Sequence, residues 1–387
     1  MIRDSETFPA FLDEIRHFVR EVAMPAEAEV AAGDRMPARL EDEMRRRGYF
    51  GWSIPEAYGG AGLTTEELAL ANIELSRAAV AFRARVGINT GIGSESLIQD
   101  GSDTLKRRYL PLLASGALTG ALALTEPEAG SDALALQTTA EPCGNDAYRL
   151  NGHKRYITMA PIADLFTVFA RIGPGNRSEG VTAFLVERGA PGLSTSASTP
   201  KMGQEGAPIG EVFLRDCVVP ADMIVGTPGS GFRTVMRTLN KQRINLAALA
   251  TGPAIRMLDE AVIHARKRRQ FGKAIGEFQL VQAMLADCKV EIEAARALIL
   301  ETARKRDRGE DVTMDVSMCK YYATEMCGRV ADRVVQVFGG EGYTAGTVER
   351  FYRDVRAFRI YEGTSQIHQL NIGKLLLRDP APAERGA

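Results

Sequence analysis

The stretch Gly120-Ala121-Leu122-Ala123-Leu124-Thr125-Glu126-Pro127-Glu128-Ala129-Gly130-Ser131-Asp132 is where the texture of the chain changes. Upstream of it the apolar residues follow helical spacing. Phe8, Phe11, Leu12, Ile15, Phe18, Val19 and Val22 recur at intervals of three and four, and similar patterns continue to Pro111. Downstream come short β-prone stretches, Tyr148 to Thr158, Leu165 to Ile172, Val181 to Glu187 and Glu211 to Leu214, separated by Gly, Pro, Asn and Ser. After Gly231 helical spacing returns, and Val281, Met284, Leu285, Cys288, Ile292, Ala295 and Ile299 lay one apolar stripe along a long helix. Helices, then strands, then long helices predict an α+β chain, not an alternating βαβ one. We expect a helical domain over 1–118, a β domain over 119–231, a helix bundle over 232–378 and a frayed tail over 379–387. Gly340-Glu341-Gly342-Tyr343-Thr344-Ala345 formally fits a dinucleotide fingerprint, but it follows a helical stretch where that fingerprint needs a strand.

Composition narrows the function. The 387 residues are 45% hydrophobic and 25% charged, as in ordinary globular proteins, with a net charge of −1. No domain-wide positive field is available for nucleic acid. Met1-Ile2-Arg3-Asp4-Ser5-Glu6-Thr7 has no basic segment leading into an apolar one, and no run of eighteen apolar residues occurs, so we expect a cytoplasmic protein with no membrane insertion. Five cysteines without a Cys-x-x-Cys pair suggest reduced, mostly buried thiols. Four histidines, none in a His-Glu-x-x-His pattern, give no reason to expect a metal.

Three segments carry chemistry. Leu124 to Asp132 is polar and turn-forming behind an apolar strand; it is either an ordinary loop or a seat for a polar ring or phosphate. Lys154-Arg155-Tyr156-Ile157-Thr158-Met159-Ala160 reads as an alternating strand with Tyr156 and Thr158 on one face, which suits either a core or a flat aromatic cofactor. In Ile360-Tyr361-Glu362-Gly363-Thr364-Ser365-Gln366, a carboxylate lies between an aromatic residue and a glycine. It is either a solvated loop residue or a base of raised pKa.

Taken together, these segments resemble the acyl-CoA dehydrogenase family over nearly the whole chain. Also family-like are Ile54 to Gly60, Lys201-Met202-Gly203, Val219-Pro220, Arg268-x-x-Phe271-Gly272 and Gln336-Val337-Phe338-Gly339-Gly340. The resemblance implies an α+β acyl-CoA dehydrogenase fold: an N-terminal all-α domain, a middle β-barrel and a C-terminal four-helix bundle. It also implies FAD, an acyl-CoA substrate, a homotetramer built as a dimer of dimers, and electron-transfer flavoprotein as electron acceptor. The implied base is Glu362, which takes the α-proton while a β-hydride goes to FAD. Carried over residue by residue, Thr125, Ser131, Tyr156 and Thr158 face the flavin. Arg268, Phe271, Gln336 and Gly340 reach the FAD of a neighbouring subunit, and Thr364 and Gln366 face its pyrophosphate and adenosine. Arg243, Asn240, Tyr361, Gly363 and Ser131 face the substrate.

The chain departs from the family at several of these positions. Tyr156 stands where tryptophan is usual, Met159 replaces asparagine, and Asn240 replaces aspartate. The second base position of the family, used by isovaleryl and long-chain types, is Gln242, which cannot take a proton. Arg83, in Phe82-Arg83-Ala84-Arg85-Val86-Gly87, falls on the arginine with which glutaryl-CoA dehydrogenases bind a distal carboxylate. That reading competes with Arg83 facing solvent or pairing with Glu74. Where those enzymes place a glutamate and a serine near the arginine, this chain has Ser76 and Ala84, which leaves decarboxylation in doubt. The alternatives are another flavin chemistry on the same fold, such as that of a nitroalkane oxidase, desulfinase or hydroxylase component, or a non-catalytic scaffold.

Overall fold

The computed structural model describes residues 1–144, 146–173 and 180–378, so the expected frayed tail, 379–387, lies outside the described residues. The N-terminal apolar stripe forms α1 (Phe8–Phe18), which buries Phe8, Leu12, Ile15 and Phe18. One π-helical turn at Val19–Ala23 leads into α2 (Met24–Gly33). Next come α3 (Ala38–Arg46), α4 (Thr65–Leu75), α5 (Val80–Asn89), α6 (Glu95–Asp100) and α7 (Asp103–Ala114). The start of α4 is a capping box: Thr64 Oγ1 accepts from the Glu67 N–H, and the Glu67 carboxylate accepts from the Thr64 N–H.

The middle domain is a mixed sheet of β1 (Gly120–Ala123), β2 (Thr139–Cys143), β3 (Ala147–Thr158), β4 (Leu165–Ile172), β5 (Val181–Glu187), β6 (Leu193–Thr195), β7 (Ile209–Pro220) and β8 (Ile224–Val225). The hydrogen-bonded order is β6-β7-β3-β2-β4-β5-β8, with β1 added parallel to β4. The strand pair β3 and β7 shifts register between Lys154 and Ile157. There Tyr156 takes a left-handed φ of 58°, so the expected strict alternation is interrupted by a bulge that turns the tyrosine ring outward, 55% exposed.

The bundle consists of α8 (Gly231–Lys267), α9 (Gln279–Asp307), α10 (Thr313–Phe338) and α13 (Ser365–Arg378). A hairpin of β9 (Arg269–Gln270) and β10 (Lys273–Ala274) joins α8 to α9, and the short α11 (Gly340–Tyr343) and α12 (Thr347–Val355) lie between α10 and α13. The stripe predicted on α9 is the buried face, with Cys288, Ile292, Ala295 and Ile299 in the core. Ala69 and Ile73 of α4 belong to that same core, which fixes the first domain against the bundle. Four of the five cysteines are buried and all are free thiols. Among the described residues, no helix is long and apolar enough to cross a membrane.

Candidate active site

Glu362 sits on a turn that no ordinary loop propensity would select. Its φ is 55° and that of Gly363 is 92°, two consecutive left-handed residues, of which a glutamate adopts the conformation at a cost of about 1–3 kcal/mol. Two helices hold the turn in place. Lys320 of α10 donates to the Gly363 carbonyl at 2.6 Å, and His368 of α13 bonds through Nε2 to the Glu362 carbonyl at 3.2 Å. A Cβ on residue 363 would lie 3.0 Å from the imidazole Nε2, so the glycine is needed for space as well as for φ. Beyond it, Thr364 Oγ1 accepts from the Ile367 N–H at the head of α13, and Ser365 donates to Glu325 at 2.5 Å. The Glu362 N–H donates to no partner among the described residues.

The carboxylate itself is set apart by its surroundings. Burial pushes Glu362 up to about 7, against the opposing charges of Arg83, Lys320 and Arg243. Its Oε2 is shut off from solvent and has no hydrogen-bond partner. Lys320, completely buried, is pushed down to about 8 by loss of solvation, with Glu362 acting against that shift. Burial, then the charges of Arg243 and Lys320, pushes His368 down to about 3, which keeps the imidazole neutral. Burial followed by the Glu362 charge holds the Tyr361 hydroxyl above its ordinary range.

The structure brings the expected substrate-side residues Arg83, Arg243, Tyr361 and Gly363 to this turn. Arg83 is 8% exposed, and its charge acts on both Glu362 and Tyr361. It neither faces solvent nor pairs with Glu74, which is taken by Arg16 and Arg77. Its Nε donates to Asn72 Oδ1 at 3.1 Å. Arg243 donates through Nη1 to Asn240 Oδ1 at 2.7 Å, so the asparagine still orients the guanidinium, while the Arg243 Nε is buried without a partner.

On the flavin side, the Thr125 carbonyl accepts from the Arg155 N–H at 2.8 Å, which ties the Leu124–Asp132 loop to the end of β3. The Arg155 guanidinium lies over the Tyr156 ring, 4.8 Å from its centroid. Thr158 is half-buried, Ser131 is exposed, and Met159 is buried with a φ of 61°. Glu126 anchors the loop from beneath: it accepts from Lys154 Nζ at 2.7 Å, from the Gln137 and Thr138 N–H groups, and from the Thr138 hydroxyl. An outward-turned aromatic ring and a half-buried hydroxyl beside a loop anchored from below fit a flat ring system such as the flavin of FAD. The head of α13, where Thr364 caps and Gln366 is exposed, fits an anionic group.

Arg268, Phe271, Gln336 and Gly340 form a separate group on the exposed end of the bundle. Arg268 lines a cleft of about 350 Å³ with His264, Phe338 and Glu341, and Phe271 is 92% exposed. No hydrogen bond or ion pair joins this group to the Glu362 turn among the described residues.

Lys320, His368, Asn72 and Asn245 were not legible from the sequence. Each is a common residue type on a helix, and its partner lies up to 173 positions away. The one local trace is a pair of glycines, Gly87 and Gly91, one helical turn apart around the end of α5.

Comparison with known proteins agrees with the three-part fold. The chain matches the acyl-CoA dehydrogenase N-terminal domain over residues 5–117, the middle domain over 121–217 and the C-terminal domain over 229–377. It is 38% identical to an acyl-CoA dehydrogenase of Bacillus subtilis, over 94% of this chain and 96% of that one. It is 36% identical to the CarC subunit of the caffeyl-CoA reductase-Etf complex of Acetobacterium woodii, over 90% and 92% of the two chains. A solved glutaryl-CoA dehydrogenase in complex with glutaryl-CoA superposes with a TM-score of 0.92 at 35% identity, covering 97% of this chain and 96% of that one. With its three domains in the family's order and a match along nearly its full length, the chain belongs to the acyl-CoA dehydrogenases, a family of FAD-dependent oxidoreductases.

Proposed function

We propose that the protein oxidises an acyl-CoA thioester to a trans-2-enoyl-CoA, with Glu362 as the base that removes the α-proton. The observation that carries this reading is the Glu362 carboxylate: Oε2 is buried and unpartnered, and its pKa is raised to about 7, near the value a general base needs at neutral pH. The open Glu362 N–H belongs to the same residue as the base and is the donor this chain offers to the thioester carbonyl; such a donor, aimed at a developing enolate oxygen, contributes roughly 3–4 kcal/mol. Lys320 and His368 hold the turn that carries that N–H by bonding to the carbonyls of Gly363 and Glu362. When bound, FAD supplies the acceptor for the β-hydride. Thr125, Ser131, Tyr156 and Thr158 would hold its ring, and Thr364 and Gln366 its pyrophosphate and adenosine. Gln242, in the family's other base position, has no proton-accepting form.

The same reading extends to substrate and partners. Arg83 is a buried guanidinium whose two Nη atoms donate to no described residue, an expensive arrangement opposite an apolar acyl tail and a favourable one opposite a carboxylate. An ω-carboxyacyl-CoA is therefore the proposed substrate class, and the similarity to a glutaryl-CoA dehydrogenase supports it. Arg243 and Asn240 would hold the CoA portion. The exposed Phe271, with Arg268, Gln336 and Gly340, suits a face that covers the FAD of a second copy in a homotetramer. Electron-transfer flavoprotein is the proposed acceptor, as the resemblance to an Etf-complex subunit suggests. Domain limits at 118, 231 and 378 remain our division of the chain.

Anaerobic titration with a panel of acyl-CoAs, read as loss of flavin absorbance, tests the proposal. Wild type should bleach. Glu362→Gln should retain FAD and bleach about 10²–10⁴-fold more slowly. A variant that bleaches at the wild-type rate would remove Glu362 as the base, and a wild type that no acyl-CoA bleaches would favour a different flavin chemistry.

A further inference from the structure

Behind the Glu362 turn runs a one-directional chain of buried side chains. Arg83 Nε donates to Asn72 Oδ1 at 3.1 Å, Asn72 Nδ2 to Asn245 Oδ1 at 3.5 Å, and Asn245 Nδ2 to Gln242 Oε1 at 3.2 Å. Asn72, Asn245 and Gln242 are each no more than 2% exposed. Gln242 Nε2, the last group in the line, is buried with no partner.

The direction of this chain is forced. An arginine has no acceptor, so the Asn72 amide must turn its oxygen to Arg83 and its NH₂ onward, and each later amide is obliged to follow. Every side-chain oxygen in the line is used. What remains is donors only: both Arg83 Nη atoms at one end and Gln242 Nε2 at the other. The helix around the chain is shaped to admit it. A Cβ at Gly87 would stand 1.6 Å from Arg83 Nη1, and a Cβ at Gly91 would stand 2.5 Å from Gln242 Oε1. A glycine inside a helix costs up to about 1 kcal/mol against alanine, and Gly87 lies inside α5.

From this geometry we infer that Asn72 and Asn245 are specificity-determining positioning residues: they fix the amide chain so that Arg83 is held through Nε alone and keeps both Nη atoms as donors for the acyl end, and so select an acyl group ending in an acceptor-only carboxylate. The inference rests on the ω-carboxyacyl reading above and adds the residues that enforce it. An unpaired pair of Arg83 Nη donors also works against an acyl chain ending in an ammonium, which brings more donors, and against a plain alkyl end, which leaves the guanidinium unsatisfied.

The experiment compares kcat/KM for glutaryl-CoA and butyryl-CoA on FAD-loaded enzyme, with flavin content and thermal midpoint recorded for every variant. Wild type should favour glutaryl-CoA. Asn72→Asp, which supplies a resident carboxylate to Arg83, should lower the glutaryl-to-butyryl ratio by about tenfold or more, the range expected for one charge-assisted hydrogen bond. Asn72→Leu should lower it less, and should have no further effect on the ratio in an Arg83→Met background, as expected of a residue that acts only through Arg83. If Asn72→Asp does not fold, Asn245→Ala carries the same test, because it releases Asn72 from behind. A wild type with no preference for glutaryl-CoA overturns both the substrate reading and this inference. A wild type that prefers it, with Asn72 and Asn245 variants that keep the ratio, overturns the inference alone.

Discussion

Glu126 and Glu362 are both carboxylates set among cations, and they have opposite characters. Glu126, beneath the Leu124–Asp132 loop, accepts four hydrogen bonds and pairs directly with the fully buried Lys154. Burial would raise its pKa, but Lys154, Thr138 and Gln137 outweigh that and hold it below the usual carboxylate range. Glu362 has three cations acting on it, Arg83, Lys320 and Arg243, yet none bonds to its Oε2, and burial prevails. Nearby positive charge therefore does not separate a structural carboxylate from a reactive one. Between these two the difference lies in direct hydrogen bonds, which stabilise the ionised form of Glu126 at short range, whereas the charges around Glu362 only moderate the cost of its desolvation.

The strongest test of this contrast is Lys154→Met, which leaves Glu126 ionised and buried without its partner. A loss of about 3–5 kcal/mol in denaturant unfolding is expected, together with weaker retention of FAD, since the anchored loop is the one proposed to meet the flavin. Glu362→Gln should leave the unfolding midpoint unchanged or raise it, because its carboxylate has no direct bond to lose. Equal destabilisation by the two substitutions would erase the distinction.

The next effect is on pH dependence. The base works only as a carboxylate, so kcat/KM should rise with pH through about 7 and level off above it. Lys320 lowers the Glu362 pKa, so Lys320→Met should shift that rising limb to higher pH. A limb that stays in place in this variant would show that the ammonium does not act on the base.

The smallest effect concerns the clamp on the turn. His368→Leu removes the bond to the Glu362 carbonyl and should lower kcat about fivefold, the equivalent of one ordinary hydrogen bond. His368→Gln, which keeps a donor, should recover most of that loss. If glutamine and leucine behave alike, the histidine serves packing and not orientation.

What could be read from the chain follows a physical rule. The change from helical to strand texture at Ala121, the buried stripe on α9 and the strands near 148–158, 165–172 and 181–187 were legible because apolar periodicity is a local property set by which face meets a core. Tyr361-Glu362-Gly363-Thr364 and the Arg268, Gln336 and Gly340 surface were legible as short family-like strings. The bulge at Tyr156 was not, since a residue other than glycine takes a positive φ only where the surrounding sheet requires it. Whether Arg83 faced solvent, Glu74 or the site also could not be read locally, because burial is a property of the packed molecule.

By itself, the sequence determined the order of helical and β segments and the family, and it pointed to the proposed base, through patterns that each span a few residues to a few turns. Only the tertiary structure decided that Lys320 and His368 hold Glu362 in a left-handed turn, that Glu126 is paired while Glu362 is not, and that Asn72, Asn245 and Gln242 line up behind Arg83. Those contacts join residues up to 173 positions apart, and a hydrogen bond is specified by distance and direction in space, quantities that no local stretch of chain contains.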